Sequence, residues 1–348
     1  MVHRYGVAVS CVFALVVLGP PTAVAQPDGW SVPRTPWGNP DLIGTYTNKT
    51  ITPVQRPDDL ADREFLSEEE IVALEQETID RNERLLRRPA LRTTRGNVDR
   101  GVDGAPGAYN NFWLDGGTKP TGRTSLIVDP PDGRIPPVTP EYRRHAEARA
   151  EDRLTRGDAD TWMDYQLNDR CLVWSAGPPM MPGPYNNTYM IFQTEDYVAI
   201  QVEMIHDTRI ISLDGRPHLP SHIRQYLGDM RGHWEGDTLV VETTNIQRTE
   251  GEPGVQGADE IEVRASNGRT DDTIRIVERF TPISDDTISY HFTIEDPSRW
   301  TQPFSGEFPF VRTDGDLYEY ACHEGNYGMT NILAGERKLE REGRSRSR

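Results

Sequence analysis

The chain has 348 residues, of which 35% are hydrophobic, and it contains 30 glycines and 27 prolines. Its formal net charge at pH 7 is −17, from 55 acidic and 38 basic side chains. This balance argues against a nucleic-acid partner, because phosphate contacts need clustered cations, and the abundant glycine and proline favour short strands and turns over a helical bundle.

Residues 1–25 have the pattern of a secretory signal peptide. Arg4 precedes an apolar run from Val7 to Leu18, and the small residues 23–25 lie before the expected cleavage point. The apolar run is too short to span a bilayer as a retained helix, and no second long apolar run follows. The sequence therefore predicts a secreted or periplasmic protein without a membrane span, with an uncleaved anchor as the alternative.

Residues 26–122 are predicted to form a proline-rich extended segment that contains one helix. The helix is expected from Ser67 to Arg88, because Ser67 and Glu70 form a capping box. Its first turn is acidic and its last turn is basic, which suits the helix dipole. The rest of the segment after this helix has little periodicity and is expected to be a long loop.

Residues 123–336 are predicted to form an antiparallel β domain, with a polar helix beginning near Pro140. From Asn187 onward, strand patterns alternate with the short turn sequences TED, EGD, SDD and DGD, which is typical of a meander. We therefore predict a mainly β protein whose meander forms a barrel-like or strongly curved sheet, wrapped by the N-terminal helix and proline-rich segment. Residues 337–348 are expected to be a disordered tail.

Strand alternation separates an apolar face from a polar face in this predicted sheet. In TISYHFTIED, one face carries Ile288, Tyr290, Phe292 and Ile294. The opposite face carries Ser289, His291, Thr293 and Glu295. The polar face has two interpretations: it is the solvated outside of the sheet, or it lines the inside of a barrel that holds a ligand.

Two cysteines follow the predicted signal peptide, Cys171 and Cys322. In an oxidising compartment, two thiols most simply form one disulfide. The alternative is a free nucleophilic Cys322 beside His323, but adjacent residues on a strand point to opposite faces and would not pair. The sequence favours the disulfide, covered by Tyr318 and Tyr320 on the packed side of a last strand.

A dense set of histidines lies between residues 203 and 235, namely His206, His218, His222 and His233. Histidines at this density could ligate a metal. However, prolines interrupt this span, and the chain lacks both standard zinc-ligand spacing and a nucleotide-binding glycine motif. We therefore expect neither a metal nor another cofactor.

A metal-free acid–base site is the preferred hypothesis. His206 and Asp207 end one apolar strand, and His323 and Glu324 end another. Paired imidazole and carboxylate groups can transfer protons once burial and neighbouring charges tune their pKa values. These four residues are the candidate catalytic groups, with Tyr320 as a hydrogen-bond donor.

Two further residues are expected to contact a ligand. Glu203 shares a strand face with Asp207, and Trp234 is the second candidate. The leading hypothesis is a cofactor-independent extracytoplasmic enzyme, a hydrolase, lyase or isomerase, that acts on a small organic molecule. The alternatives are a non-catalytic small-ligand-binding protein of the cell envelope, in which the same residues only orient the ligand, and a structural envelope protein.

Four motifs resemble a family of uncharacterised secreted bacterial proteins, namely RTSLIVDPPDGRIPP, EMIHDTRIISLDGRPHLP, GHWEGDTLVVETTN and YEYACHEGNYGM. The resemblance spans the chain from Thr35 to about Ala334, and it implies a shared extracytoplasmic fold without implying an activity. The sequence departs from the family pattern at His233, where arginine or another cation is expected. This departure argues against His233 as a required ligand.

Overall fold

The structure is a computed structural model that describes residues 29–60, 62–87, 114–155, 160–165, 167–174, 177–247 and 274–343. The predicted signal peptide, most of the loop expected after the first helix and the last residues of the predicted tail lie outside these ranges. Within the described ranges, no helix is both long enough and apolar enough to cross a membrane.

Ten strands form one sheet, and nine of them close into a barrel. The strands are β1 (Gly44–Thr47), β2 (Ile127–Asp129), β3 (Thr188–Gln193), β4 (Tyr197–Val202), β5 (Thr208–Ser212), β6 (Asp229–Glu235), β7 (Thr238–Thr244), β8 (Arg275–Pro282), β9 (Thr287–Glu295) and β10 (Phe304–Arg312). The barrel order is β1-β3-β4-β5-β6-β7-β8-β9-β10, and it closes because β1 pairs with both β3 and β10. The short β2 adds to β10, so the predicted barrel-like sheet is confirmed.

Antiparallel hairpins build the side of the barrel from β6 to β10. The turn between β6 and β7 contains Gly236, whose φ of 60° suits a glycine. The apolar residues of β9 are each at most 2% exposed and belong to the hydrophobic core; they are Ile288, Tyr290, Phe292 and Ile294. The polar face of β9 is therefore the outer surface of the barrel, and its interpretation as a ligand-binding interior lining is wrong.

Two connections depart from the predicted antiparallel meander. β5 and β6 run parallel and pair through Ser212 and Arg231. A parallel pair needs a crossover connection, which residues 213–228 supply. In addition, β1 comes from the N-terminal segment that was predicted to wrap the barrel, and this strand closes the barrel between β3 and β10.

The barrel interior holds a buried ion pair among aromatic rings. Arg209 on β5 and Glu278 on β8 are both 0% exposed, and their two nitrogens and two oxygens face each other, with Nη1 to Oε1 at 2.8 Å. Tyr290 donates its hydroxyl proton to Glu278 at 2.6 Å and accepts the backbone N–H of Met180 at 3.0 Å. The ring of Tyr290 lies 5.0 Å from that of Phe280. This network ties three strands and the segment around Met180 together.

Three α-helices occur in the described ranges: α1 (Glu68–Arg87), α2 (Pro140–Thr155) and α3 (Gly328–Arg341). α1 confirms the predicted capping box, because the Glu70 carboxylate accepts the Ser67 N–H at 2.8 Å and Ser67 Oγ accepts the Glu70 N–H at 3.2 Å. α2 begins at the predicted proline. α3 was not predicted; it contains Gly335, which lowers helix propensity, and it continues past residue 336, where a disordered tail was expected.

The chain between β10 and α3 corrects the last predicted strand. Residues 313–327 form neither strand nor helix. The edges of β10 at this end are already paired with β9 and β1, so a further strand has no free edge to join. Tyr318 is 68% exposed and does not cover the disulfide, whereas Tyr320 and Cys322 are partly buried against the core. We call residues 318–327 the C-terminal segment.

Candidate functional site

The turn between β4 and β5, residues 203–207, lies at one end of the barrel, and we call it the rim turn. It closes on itself because the Val202 N–H donates to the Asp207 carbonyl at 2.8 Å and the His206 N–H donates to the Glu203 carbonyl at 3.2 Å. The predicted residues His206 and Asp207 therefore follow a strand end, but they belong to a compact turn rather than to the strand.

The backbone of the rim turn is strained. Ile205 has a φ of 59° and His206 a φ of 48°. Non-glycine residues seldom occupy this left-handed region, and a β-branched residue does so least of all. Each such residue costs of order 1–3 kcal/mol and persists where surrounding contacts hold it, which is a recurrent property of functional sites. Here Met204 and Ile205 are buried and anchor the turn, while His206 is exposed.

The imidazole of His206 is oriented by the C-terminal segment. Its Nδ1 lies 2.9 Å from the backbone carbonyl oxygen of Tyr320. A carbonyl oxygen only accepts hydrogen bonds, so Nδ1 carries the proton and Nε2 is the basic nitrogen of the neutral ring. The contact differs from the predicted role of Tyr320, because it is made by the main chain rather than by the phenol. A histidine with one nitrogen fixed and the other exposed has the geometry of a general base.

Asp207 places a carboxyl group with an altered pKa beside this histidine. Burial raises the pKa of Asp207 to about 6, and the charge of His206 opposes the rise. Its Oδ2 is buried and has no hydrogen-bond partner among the described residues. A carboxyl group with a pKa near neutral pH gains and loses its proton readily under ordinary conditions. The rim turn thus holds two adjacent groups suited to proton transfer.

Glu203 begins the rim turn and is 5% exposed. Its backbone N–H donates to the Thr188 carbonyl of β3 at 3.0 Å, which fixes the start of the turn against the barrel. The other predicted ligand contact, Trp234, lies on β6 opposite Leu239 of β7 and packs against the core. Both residues are therefore more withdrawn from solvent than their predicted role as ligand contacts implies.

A second region, which we call the disulfide cleft, lies where the C-terminal segment meets residues 162–172. Cys171 and Cys322 form the predicted disulfide. Beside this bond opens a cavity of about 280 Å³, lined by Trp162, Asp169, Arg170, Leu172, His323, Asn326 and Met329 together with Cys171. The predicted acid–base groups are thus divided, since His206 and Asp207 lie in the rim turn and His323 lines the cleft. Glu324 is exposed next to His323.

Two of the other histidines of the dense span contact carboxylates, and His222 is exposed. His218 contacts Asp229 at 2.8 Å through Nδ1 and Glu242 at 3.1 Å through Nε2. His233 contacts Glu235 at 3.1 Å. In the described part of the chain, no group of three or more histidine, cysteine or acidic side chains is placed to hold a metal ion.

Sequence reasoning did not find two features of these regions. The left-handed backbone at Ile205 and His206 carries no glycine, asparagine or proline signal that could have predicted it. The guanidinium carbon of Arg170 lies 4.9 Å from the ring centroid of Trp162, and no sequence motif predicts this contact. A cation directly before the paired Cys171 was the available signal for the second feature.

Comparison with known proteins does not place the chain in a family. No family model matches the chain, and no curated protein matches it. Among solved structures, a mutant of the fluorescent protein UnaG matches with 12% sequence identity and a TM-score of 0.22, over 44% of this chain and 89% of that chain. A TM-score this low carries no argument about fold or ligand, and the resemblance to secreted bacterial proteins stays a prediction.

Proposed function

We propose that the protein is an enzyme that acts on a small organic molecule by acid–base chemistry at the rim turn. The observation that supports this most is the 2.9 Å contact between His206 Nδ1 and the Tyr320 carbonyl, on a strained backbone. It assigns the proton to Nδ1 and leaves Nε2 as an exposed base. Asp207, with its raised pKa of about 6, is the second proton-transfer group.

Each group has a separate role in this proposal. His206 Nε2 removes a proton from the substrate or from an attacking water, and the Tyr320 carbonyl stabilises the imidazolium that forms. Asp207, whose pKa is about 6, can gain or lose a proton beside the imidazole, and when it is ionised it stabilises the positive charge of His206 through space. These roles serve hydrolase, lyase or isomerase chemistry, and they need no group outside the chain.

His323 receives a different role from the one predicted. The contacts of the described residues do not join it to His206, and it lines the disulfide cleft instead. We therefore propose that His323 contacts a ligand and that Glu324, which is exposed beside it, transfers no proton. The proposed location is the periplasm or the cell exterior, because a disulfide persists in oxidising compartments.

A turnover screen tests the proposed function. Aryl esters, lactones and β-hydroxy acids would be incubated with the wild-type chain and with the His206→Gln, Asp207→Asn and His233→Gln variants. General-base catalysis contributes about 10²–10⁴-fold, so His206→Gln should lose at least about 100-fold of any turnover found. His233→Gln changes an exposed histidine outside the rim turn and should retain it.

The outcomes separate the two leading hypotheses. Equal turnover in the wild type and in His206→Gln would contradict the assignment of the base. A wild-type chain that binds small molecules but converts none of them would favour the alternative, a non-catalytic small-ligand-binding protein in which the same residues only orient the ligand.

A further inference from the structure

The disulfide cleft has a preformed shape that the proposed reaction at the rim turn does not use. One wall contains Trp162 and residues 169–172, and the other contains residues 322–329. The Cys171–Cys322 bond joins these walls covalently, and Arg337 of α3 donates to the Asp160 carbonyl at 2.9 Å. The cavity of about 280 Å³ lies near the lower end of small-molecule pockets, which are roughly 300–1,000 Å³.

Arg170 supplies the cationic end of the cleft. Its guanidinium lies over the ring of Trp162, which orients the planar group. Within the described residues, no hydrogen-bond acceptor reaches its buried Nε. A guanidinium always carries its proton, and its fork of N–H donors matches a carboxylate. Arg170 lines the cleft, so its positive charge attracts an anionic ligand there.

The remaining lining restricts the shape and charge of a ligand. Leu172 and Met329 provide apolar surface, and His323 provides a second polar contact. Asn326 belongs to the wall itself, because its Nδ2 donates to the Cys322 carbonyl at 2.9 Å and its Oδ1 accepts the Gly328 N–H at 2.9 Å.

One acidic residue, Asp169, also lines the cleft and has an interaction partner of its own. A carboxylate in the lining opposes a second negative charge on a ligand. The combination of one guanidinium, one carboxylate and apolar side chains therefore suits a small ligand with a single negative charge and an apolar body.

We infer that the disulfide cleft binds a small aromatic carboxylate. The carboxylate contacts Arg170 and His323, and the ring packs against Leu172 and Met329. No residue of the rim turn lines the cleft, so a failure of benzoate binding would contradict this inference without contradicting the proposed acid–base reaction.

The test uses benzoate as the probe, with benzyl alcohol as its neutral analogue. Both compounds would be titrated into the full chain while NMR follows the ε N–H of Arg170 and the indole N–H of Trp162. We expect saturable chemical-shift changes with benzoate and at least tenfold weaker binding of benzyl alcohol. The reason is that the loss of a hydrogen bond to a charged group lowers affinity by about tenfold or more. This comparison needs no variant and does not depend on how a variant folds.

Variants then locate the site. Arg170→Gln should weaken benzoate binding about tenfold or more, whereas Arg87→Gln, which removes an exposed cation at the end of α1, should leave it unchanged. The absence of a saturable shift with benzoate, equal affinity for benzyl alcohol, or full affinity in Arg170→Gln would each overturn the inference.

Discussion

The barrel interior and the rim turn both bury ionisable groups, but only those of the interior have partners for their buried polar atoms. In the interior, the guanidinium of Arg209 faces the carboxylate of Glu278, which also accepts from Tyr290. In the rim turn, one oxygen of Asp207 is buried without a partner among the described residues, and the backbone beside it is strained. Paired buried charges maintain one packed arrangement, whereas unpaired ones and strain are costs that a purely structural turn would not need.

Function is therefore expected at the edges of this barrel rather than in its interior. The interior is closed by large side chains that are at most 2% exposed, including Tyr189, Phe280, Phe308 and Phe310. Asp207 of the rim turn and Arg170 of the disulfide cleft each carry a buried polar atom without a hydrogen-bond partner among the described residues. We expect substitutions in the interior to change stability and those at the rim to change chemistry.

The largest effect is expected from breaking the interior ion pair. Glu278→Ala leaves Arg209 charged and buried without its partner, which costs about 3–5 kcal/mol of the free energy of unfolding. Chemical denaturation would measure it. The double variant Arg209→Met with Glu278→Met is the control, and it should recover most of the loss because it removes both charges. A loss below about 1 kcal/mol in Glu278→Ala would contradict the account of the interior.

The disulfide is expected to come next. Replacing Cys171 and Cys322 together by alanine should cost about 2–4 kcal/mol, and it should loosen the C-terminal segment that carries the Tyr320 carbonyl. Thiol titration of the denatured, unreduced protein should find neither cysteine free. Two free thiols would contradict the disulfide and would restore Cys322 as a candidate nucleophile.

Two tyrosines of the C-terminal segment provide a matched pair with a smaller effect. Tyr320 is partly buried against the core, so Tyr320→Ala should cost about 2 kcal/mol, less than the removal of a fully buried ring. Tyr318 is exposed, and Tyr318→Ala should stay within about 0.5 kcal/mol of the wild type. Thermal unfolding of both variants would check this order. A larger loss of stability in Tyr318→Ala than in Tyr320→Ala would mean that Tyr318, rather than Tyr320, packs against the core.

The last prediction concerns the pH dependence of stability. The pKa of Asp207 is about 6 in the folded chain and 3.8 ordinarily. Between these values the folded state binds more protons than the unfolded state, so the contribution of Asp207 to stability falls as pH rises from about 4 to about 6. Asp207→Asn should remove this part of the slope when the melting temperature is followed against pH. An unchanged slope in the variant would contradict the raised pKa.

The sequence predicted the strands well because their signal is local. The alternation in β9 and the glycine turn between β6 and β7 are both visible within a few residues. The interior ion pair also left a local signal, since Arg209 alternates with buried Ile211 and Glu278 alternates with Ile276 and Phe280. A charge on an apolar strand face predicts a buried partner, although it does not say which one.

The rim turn was predictable only in part. His206 and Asp207 were found because they follow an apolar strand, but their orientation depends on Tyr320, 114 residues further along the chain. The last predicted strand failed for a related reason. The alternating pattern of that segment is present in the sequence. However, β1 pairs with the edge of β10 that a further strand would need, and this pairing joins residues far apart in sequence.

The most direct test of the account is the protonation of His206. Long-range ¹H–¹⁵N NMR of the imidazole nitrogens, assigned by comparison with His206→Gln, reports which nitrogen carries the proton in the neutral ring. We expect a proton fixed on Nδ1, held by the Tyr320 carbonyl, and an unprotonated Nε2. A neutral His206 protonated on Nε2 would contradict both the contact and the assignment of this residue as the base.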